Sequence, residues 1–422
     1  MNILWITNIL FPEVSAKLTG QNELKATGGW LLGAARMLES VEGLKLSVAA
    51  VSPLVRKLEV VKAENITYYV LPYGKGNQTY NKDYESLWKE IKSIAKPDVV
   101  HLHGTEYTHG LAYIRACGSD NMVVSIQGLK FIHQQYYYYG LTQWDIFSHL
   151  TLRDIIKGGI VKEQHNFMTQ GECEKEIIRC VKHIVGRTSW DRANTWVINP
   201  DAKYHFCNET LRPEFYDGSR WSYDSCCKHT IFLSQAGYPI KGLHQVLNAL
   251  PIVLQHYPDT QVRIAGNDIT NTKGLRDLLR FTGYGSIIKS LIKKHNLNDH
   301  IIFTGPLNAK EMRHEYLKCN LFICSSTIEN SPNSLGEAQI LGTPVIASYV
   351  GGIPDMMKGD EDHLYRFEEI NMLAEKICRV FADKDRQSDM IAVAELRHNP
   401  RLNTERMIQI YKKIMEEGRE IV

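Results

Sequence analysis

The sequence has almost no excess of charge of either sign. It contains 49 Lys and Arg residues against 47 Asp and Glu residues, which gives a formal net charge of +2. Domains that bind nucleic acid usually carry a strong basic excess. The near balance of charge therefore argues against a nucleic-acid partner.

Long hydrophobic runs are also absent. No uninterrupted apolar segment approaches the length that a bilayer-spanning helix needs. The first eight residues lack the positively charged start of a signal peptide and fit a first β-strand instead. We therefore expect a cytoplasmic protein, with peripheral attachment to the inner face of the membrane as an open alternative.

The cysteines show neither a pairing pattern nor a metal-binding spacing. There are nine, an odd number, and none belongs to a C-x-x-C pair. This pattern favours reduced thiols in the cytosol. The neighbours Cys226 and Cys227 and the pair Cys319 and Cys324 lack the spacing of zinc ligands, so we expect no structural metal.

The length of the chain predicts two domains. At 422 residues it exceeds what a single hydrophobic core usually serves, so two domains of roughly 200 residues each are expected. An apolar content of 44% and a charged content of 23% are those of a globular protein.

Short strand patterns alternate with amphipathic helix patterns along the chain, as in parallel α/β sheets. Strands are predicted in two series, at 3–7, 46–52, 66–71, 99–102 and 123–126, then at 230–234, 262–265, 301–304, 321–324 and 344–347. The clearest helix patterns lie at 30–38, 84–95, 243–254 and 403–417. The polar stretch 212–228 separates the two series and is the candidate linker. The sequence thus predicts two doubly wound sheets.

The stretch 329–354 contains the strongest functional signal. Glu329 follows the strand at 321–324, and parallel sheets bind their ligands at the carboxyl ends of strands. Ser334 and Glu337 have the spacing of a capping box, so we expect a helix to begin there, with the backbone N–H groups of 333–336 available to a diphosphate. An ordinary capping glutamate and an ordinary turn at Gly351 and Gly352 are the alternative, but they leave Glu329 unexplained.

The order of strand, carboxylate, helix start, strand and diglycine resembles the donor-site signature of retaining glycosyltransferases of family 4. The resemblance is strong from about 233 to 354 and weaker through the N-terminal half. It implies a GT-B fold, in which two Rossmann-like domains face each other across the active-site cleft. It also implies that Glu329 lies at the donor sugar and that Glu337 holds the ribose hydroxyls.

The resemblance also implies a domain organisation. We expect an acceptor-side domain at 1–215, a nucleotide-sugar donor domain at 216–402, and a C-terminal helix at 403–422 that crosses back to the first domain.

Further positions fit a site for a nucleotide-sugar. Lys241, between a strand and a helix, could neutralise a leaving diphosphate, and the diglycine Gly28-Gly29 before another helix would allow close approach of a phosphate. A solvated lysine and a plain turn are the alternatives. The complete set of predicted donor contacts is Glu337, Asn333, Ser334, Leu335, Gly28, Gly29, Gly352 and Arg187, beside the catalytic candidates Glu329, Lys241 and Gln127.

The sequence departs from the family at three positions. Ala236 stands where an arginine usually shares the diphosphate charge, so either another cation replaces it, with Arg187 and Arg192 as candidates, or the diphosphate charge is neutralised less completely. Gln127 stands where many relatives have a histidine, which fits a front-face displacement in which the leaving phosphate oxygen takes the acceptor proton. Pro332 lacks the backbone N–H group that relatives use as a hydrogen-bond donor at this position.

Two aromatic groups are candidates for the acceptor side. His101 and His103 alternate at a strand end, and we interpret them as facing opposite sides, with His103 either at the acceptor or structural. Tyr136, the first of four consecutive tyrosines, offers a flat face for a sugar, with packing as the alternative.

The basic and apolar residues of 271–294 suggest two alternatives. Such a helix could rest on an anionic membrane. Packing of its apolar stripe on the second sheet is the interpretation that we favour.

The resemblance implies a retaining hexosyltransferase of polysaccharide or glycoconjugate synthesis. It would move a sugar from a nucleoside diphosphate sugar to a hydroxyl of a carbohydrate or lipid-linked acceptor, without a metal or other cofactor. The departures at Ala236 and Gln127 leave two alternatives open. These are a nucleotide-sugar epimerase of similar bilobal fold and a non-catalytic nucleotide-sugar-binding partner.

Overall fold

A computed structural model describes residues 1–20, 29–73, 80–384 and 390–420. The chain forms two compact units. The first unit comprises Met1–Ile132, Asn166–Arg212 and Arg397–Val422, and the second comprises His133–His165 and Pro213–Leu396. The segment 133–165, which the sequence prediction places in the N-terminal domain, thus belongs to the second unit.

The strands of the described residues form one sheet in each unit. The first sheet contains β1 (Asn2–Thr7), β2 (Lys45–Ser52), β3 (Glu59–Ala63), β4 (Ile66–Pro72), β5 (Val99–His103), β6 (Met122–Ser125), β7 (His183–Gly186) and β8 (Lys203–Phe206). The second contains β9 (Thr230–Leu233), β10 (Gln261–Ile264), β11 (Ile301–Phe303), β12 (Leu321–Cys324), β13 (Val345–Ser348) and β14 (Leu364–Tyr365).

Helices connect these strands. They are α1 (Pro12–Thr19), α2 (Gly29–Glu39), α3 (Asp83–Ala95), α4 (Thr108–Cys117), α5 (Lys130–His133), α6 (Gln143–Ser148), α7 (Leu152–Lys157), α8 (Ile160–Cys180), α9 (Ser189–Ile198), α10 (Leu243–His256), α11 (Leu275–Arg280), α12 (Gly283–Lys294), α13 (Ala309–Lys318), α14 (Asn333–Leu341), α15 (Ile353–Met356), α16 (Ile370–Ala382), α17 (Met390–Arg397) and α18 (Pro400–Glu420).

The first sheet is buried on both faces. Its order is β3-β4-β2-β1-β5-β6-β7-β8, parallel except for β3, which pairs antiparallel with β4. Ile3 and Trp5 of β1 belong to the core on one face, whereas Leu4 and Ile6 belong to the core on the other. This alternation follows from the two-residue period of a strand. Helix α18 packs on the first of these faces through Tyr411 and its neighbours.

Both sheets reverse their direction of winding at one point. The second sheet is parallel, in the order β11-β10-β9-β12-β13-β14. The chain winds outward from β9 to β11 and then returns to the other side of β9 with β12. The reversal therefore lies between β9 and β12, and in the first sheet it lies between β1 and β5. Doubly wound sheets bind ligands at such switch points.

The predicted fold class of two doubly wound α/β domains is confirmed. All ten predicted strands are present, and four further strands were not predicted, namely β3, β7, β8 and β14. Three of these strands have only two to four residues, and β3, at the sheet edge, includes Glu59 and Lys62, so all four lack a sustained apolar run.

Helix α12 buries the apolar stripe of the segment 271–294. Ile287, Ile288 and Ile292 are buried, and the helix contacts α10. This stripe therefore leaves no apolar face of α12 for lipid. Over the described residues, every helix is too short or too polar to span a bilayer.

Candidate functional site

Two oppositely charged side chains meet at the switch point of the second sheet. Lys241 ends a short 3₁₀ turn after β9, and Glu329 lies in the loop after β12. Lys241 Nζ donates a hydrogen bond to Glu329 Oε1 at 2.5 Å, and Ser326 Oγ donates to the same oxygen at 3.0 Å. The structure thus brings together two predicted catalytic residues that are 88 positions apart.

Gly242 allows the two loops to approach closely. Its φ is 70°, and a Cβ there would lie 1.8 Å from the Ser325 carbonyl oxygen. Ser325 Oγ donates to the Lys241 carbonyl at 2.9 Å, and the Thr327 N–H donates to the Ile240 carbonyl at 2.7 Å. Only glycine fits this position, because any side chain would clash with the neighbouring backbone.

The diglycine after β13 supports Glu329 from its other side. Gly351 has φ 53°, and a Cβ there would lie 1.9 Å from the Glu329 carbonyl oxygen. The Gly352 N–H donates to that carbonyl at 3.0 Å. In this structure Gly352 uses its N–H to position the backbone of Glu329.

The ion pair keeps both partners charged. Burial would raise the pKa of Glu329, but the ammonium of Lys241, with smaller effects from His133 and Ser326, brings that pKa below its usual 4.5. Burial would lower the pKa of Lys241, and Glu329 outweighs this effect and raises it. A carboxylate and an ammonium therefore face each other at neutral pH.

Helix α14 begins differently from the prediction. The predicted capping box between Ser334 and Glu337 is wrong, because the residue before the helix is Pro332 and no side chain caps it. Pro332 is extended, at φ −67° and ψ 122°, and fits the position before a helix because its missing N–H would have no acceptor there. Glu337 therefore lies on the buried side of the second turn.

The first turn of α14 uses two of the predicted N–H donors itself. The N–H groups of Leu335 and Gly336 donate to the Pro332 carbonyl at 3.0 and 3.4 Å. Asn333 and Ser334 occupy the first two positions, where a helix offers N–H groups no intrahelical acceptor. The carbonyl of Ser334 accepts from the Tyr316 hydroxyl at 3.1 Å, which fixes this end of the helix.

These elements enclose a small polar cavity. Its volume is about 20 Å³, and Lys241, Glu329 and Ser334 line it together with the ends of β9 and β12. Ala236, at the usual arginine position, is buried in the preceding loop and supplies no charge. The ring of Tyr238 lies 5.8 Å from the Lys241 ammonium, near the limit of a cation–π contact.

The segment 133–165 contributes to this region. The Tyr136 carbonyl accepts from Thr327 Oγ1 at 2.8 Å, two residues from Glu329. The Tyr136 ring is partly exposed and stands edge-on to Tyr139 at 6.1 Å. His133, whose charge lowers the pKa of Glu329, was not predicted, since nothing in its local sequence indicates a distant carboxylate.

Gln127 and Arg187 lie together in the first unit. Gln127 Nε2 donates to Glu209 Oε1 at 3.0 Å, and Arg187 forms an ion pair with the same oxygen at 2.7 Å. Arg187 is buried and also donates to the Ile126 carbonyl. Glu209 joins these two predicted residues and was itself not predicted from the sequence.

The two histidines of β5 lie on the same face of the sheet. Their rings stack with centroids 3.8 Å apart, so the interpretation that they face opposite sides is wrong. Residues two apart in a strand point the same way. His101 is bonded to Tyr411 and Ser125, whereas the ring nitrogens of His103 have no hydrogen-bond partner among the described residues.

His103 borders a second cavity. This cavity has a volume of about 60 Å³ and is also lined by Trp5, Trp30 and Arg187. Burial lowers the pKa of His103 well below 6.5, and the nearby His101 and Arg187 add to the effect. His103 is therefore a neutral imidazole in this surrounding.

Gly29 is the first residue of α2, and a Cβ there would lie 3.2 Å from the side chain of Arg212. Gly28 lies outside the described residues. In the part of the chain that the structure describes, no three His, Cys, Asp or Glu side chains are placed to share a metal ion.

Residues 228–397 match the family described as glycosyl transferases group 1. One curated relative is D-inositol 3-phosphate glycosyltransferase of Corynebacterium urealyticum. It is 23% identical over 188 residues, which cover 42% of this chain and 41% of that protein. The chain spans little more than a third of the length of the first curated relatives it matches.

Solved structures match nearly the whole chain. A sucrose-phosphate synthase from Thermosynechococcus elongatus has a TM-score of 0.69 at 15% identity and covers 98% of this chain and 99% of its own. A trehalose-6-phosphate protein from E. coli bound with UDP-2-fluoro glucose has a TM-score of 0.64 at 11% identity, with the same coverage. At these identities the likeness shows the fold, and the fold is GT-B.

Proposed function

We propose that the protein is a glycosyltransferase that moves a sugar from a nucleoside diphosphate donor to a hydroxyl acceptor, with retention at the anomeric carbon. The pair formed by Lys241 and Glu329 at the switch point of the second sheet carries this proposal. The match of residues 228–397 to glycosyl transferases group 1 supports it.

When the donor binds, Lys241 would exchange Glu329 for the diphosphate as its ionic partner. Lys241 now neutralises Glu329, and a diphosphate beside it would compete for the ammonium. The Ser326 hydroxyl would still hold Glu329 by the hydrogen bond that it makes already. The carboxylate would then be available to the positive charge that develops on the reacting sugar.

The first turn of α14 would hold the rest of the donor. The positive end of the helix at Asn333 and Ser334 favours phosphate oxygens, and Ser334 shares its cavity with Lys241 and Glu329. Glu337 on the next turn would accept hydrogen bonds from the two ribose hydroxyls. Leu335 is fully buried and fixes this turn against the core.

The reaction would proceed on one face of the sugar. The acceptor oxygen forms a bond to the anomeric carbon while the bond from that carbon to the phosphate oxygen breaks. The leaving phosphate oxygen takes the acceptor proton, so no protein base is consumed. Lys241 stabilises the charge of the leaving diphosphate, and Glu329 stabilises the oxocarbenium-like carbon.

A donor screen tests the proposal. The protein is mixed with a panel of nucleoside diphosphate sugars, and binding is followed by thermal shift, since a ligand at a hundred times its Kd adds about 2.7 kcal/mol of stability. Release of nucleoside diphosphate is then measured with and without candidate hydroxyl acceptors. We expect one donor to bind and release to rise with acceptor. A donor that is isomerised without net release, or that binds without any reaction, would contradict the proposal.

Glu337→Ala separates donor binding from turnover. The ribose is held in ground and transition states alike, so KM for the donor should rise about tenfold or more while kcat changes little. Glu375→Ala, on the exposed face of α16, is the matched control and should leave both constants unchanged. A large fall in kcat with unchanged KM would contradict the ribose assignment.

A further inference from the structure

Two short helices of the second unit expose the faces that helices normally bury. In α7, Leu152, Ile155 and Ile156 have the spacing of a core-facing stripe, yet all three are exposed, Ile155 by 73%. In α6, Trp144 is 77% exposed, and Phe147, three residues on, is also exposed.

Helix α11 repeats this pattern from a distant part of the chain. Leu275, Leu278 and Leu279 have the same helical spacing and are all exposed, Leu275 by 82%. The neighbouring helix α12 buries its own stripe. The exposed face of α11 is therefore not a general property of the segment 271–294.

Contacts place these three helices in one region of the second unit. Thr151, which caps α7, donates through its hydroxyl to the Phe281 carbonyl at the end of α11, at 2.8 Å. Helix α7 contacts α11, and α6 contacts α12. A Cβ at Gly283 would lie 3.3 Å from the His149 carbonyl, so the connection after α6 also packs closely here. We call the exposed apolar residues of α6, α7 and α11 the apolar surface.

The carboxylates near this surface are committed to helix caps. Asp145 accepts from the backbone N–H of Thr142, and Asp154 accepts from the backbone N–H of Thr151. Asp277 accepts from the N–H of Gly274. These acidic groups therefore lie at the starts of α6, α7 and α11, and Asp154 Oδ1 also lies 3.9 Å from the guanidinium of Arg153.

Three basic side chains of α7 and α11 remain available. Lys157, Arg276 and Arg280 are exposed, and within the described residues no side-chain ion pair or hydrogen bond holds them. With Lys162 and Lys273 they make five exposed basic side chains around the apolar surface, against the three carboxylates of Asp145, Asp154 and Asp277.

We propose that the apolar surface docks on an anionic lipid bilayer. A bilayer offers an apolar phase to Trp144 and the aliphatic side chains and anionic headgroups to the surrounding lysines and arginines. A second copy of the chain fits less well. A two-fold contact places the same surface on both partners, so the basic side chains would face one another.

Binding to vesicles tests this proposal. The purified full chain is mixed with phosphatidylcholine vesicles and with vesicles of phosphatidylcholine and phosphatidylglycerol, and bound protein is measured by sedimentation. We expect binding to the anionic vesicles that weakens as salt rises. Absence of binding to anionic vesicles at low salt would overturn the proposal.

Two sets of variants locate the contact. Replacing Lys157, Arg276 and Arg280 by Gln should weaken binding to anionic vesicles by about fivefold per residue, or about a hundredfold together. Replacing Ile155, Ile156, Leu278 and Leu279 by Ser should abolish binding. Because all these side chains are exposed, the variants should keep the wild-type unfolding temperature. Unchanged binding by either set would overturn the assignment.

Matched controls and a second readout complete the test. The pair Trp196→Ser and Val197→Ser removes comparably exposed apolar side chains from α9, and Lys89→Gln with Lys310→Gln and Lys412→Gln removes exposed charges elsewhere. Both controls should bind vesicles like the wild type.

Sedimentation velocity without lipid gives the oligomeric state. Self-association that the Ser variants abolish, in a protein that binds no vesicles, would assign the surface to a second copy and overturn the membrane proposal.

Discussion

Both units have polar side chains at the switch points of similar sheets. These side chains are charged in the second unit and neutral in the first. In the second unit, Lys241 and Glu329 are paired and both remain charged. In the first unit, His101 and His103 at the end of β5 are buried without a carboxylate partner, and burial lowers the pKa of His101 to about 3. Burial alone favours neutral forms, and only a close partner of opposite charge reverses this preference.

Glu174 in the first unit shows the same rule with an acidic group. Burial raises the pKa of Glu174 to about 8, although the Thr105 hydroxyl donates to it at 2.6 Å and lowers the pKa in part. The nearby carboxylate of Glu106 raises the pKa further. Glu174 and Glu329 are both glutamates in GT-B units, and the neighbouring ammonium explains why only Glu329 has a lowered pKa.

The largest expected effect comes from removing the charge of Glu329. Glu329→Gln keeps the shape and can still accept from Lys241 and Ser326, but it removes the charge that we assign to the reacting sugar. We expect kcat to fall by about a hundredfold or more, with a smaller change in KM. The measurement is steady-state release of nucleoside diphosphate with the donor that the thermal-shift screen identifies.

Stability gives a second readout for this variant. Because the pKa of Glu329 is lowered in the folded state, the ion pair stabilises the fold above about pH 4.5, and this stabilisation is lost as pH falls through the lowered pKa. The unfolding temperatures of wild type and Glu329→Gln should therefore converge in acid. A variant with full turnover would leave Glu329 only a structural role.

Gly242→Ala should break the charged site without removing either charge. A Cβ would be 1.8 Å from the Ser325 carbonyl oxygen in a residue with φ 70°, so the loops must move apart. We expect a loss of about 2 to 3 kcal/mol in stability and a clear loss of donor affinity. Thermal unfolding and donor titration measure the two effects.

Gly305→Ala is the control for backbone strain alone. Gly305 lies in the same unit with φ 80°, and a Cβ there meets no atom within 4 Å. It should cost about 1 kcal/mol and leave donor affinity intact. Equal behaviour of the two variants would show that close packing at Gly242 does not position Lys241 and Glu329.

Much of the fold could be predicted from the sequence because parallel strands buried on both faces have a local signature. The apolar runs of β1, β9 and β12 indicate such strands directly. The locations of Glu329 and Lys241 after strand ends were equally readable, and the switch point explains why their side chains meet.

The remaining errors come from features that local sequence does not encode. The start of α14 depends on whether Pro332 or Ser334 precedes the first turn, and both are acceptable there. The contribution of His133 depends on packing of 133–165 with the second unit. The same-face arrangement of His101 and His103 was predictable, because it follows from the strand period alone.

Glu174→Gln tests whether Glu174, unlike Glu329, is a neutral carboxylic acid in the folded protein. Between about pH 5 and pH 8 the folded wild type holds a proton on Glu174 that the unfolded chain releases, so its stability falls as pH rises, by up to about 1.4 kcal/mol per pH unit. The glutamine variant should lose this slope and become the more stable protein above pH 8. Denaturant titrations across this range measure it.

Glu176→Gln is the matched control on the same helix. Glu176 is an exposed side chain paired with Arg115, so its variant should keep the pH slope of the wild type. A flat profile in wild type itself would show that Glu174 is ionised despite its burial, and the contrast with Glu329 would no longer hold.

Tyr411→Phe gives the smallest expected effect and tests whether the histidine cluster of the first unit is structural. The Tyr411 hydroxyl accepts from Trp5 Nε1 at 3.0 Å, so its own hydrogen is free to be donated to His101 Nδ1 at 2.6 Å. Neutral His101 then carries its proton on Nε2 and donates to Ser125 Oγ at 2.7 Å. Phenylalanine would leave the Trp5 N–H and His101 Nδ1 buried without partners, at a cost of about 1 to 2 kcal/mol in unfolding free energy.

KM for the donor should stay unchanged in Tyr411→Phe. The exposed control Tyr349→Phe should keep both the donor KM and the stability of the wild type. A rise in donor KM in Tyr411→Phe alone would mean that the uncharged cluster of the first unit, like the ion pair of the second, takes part in substrate binding.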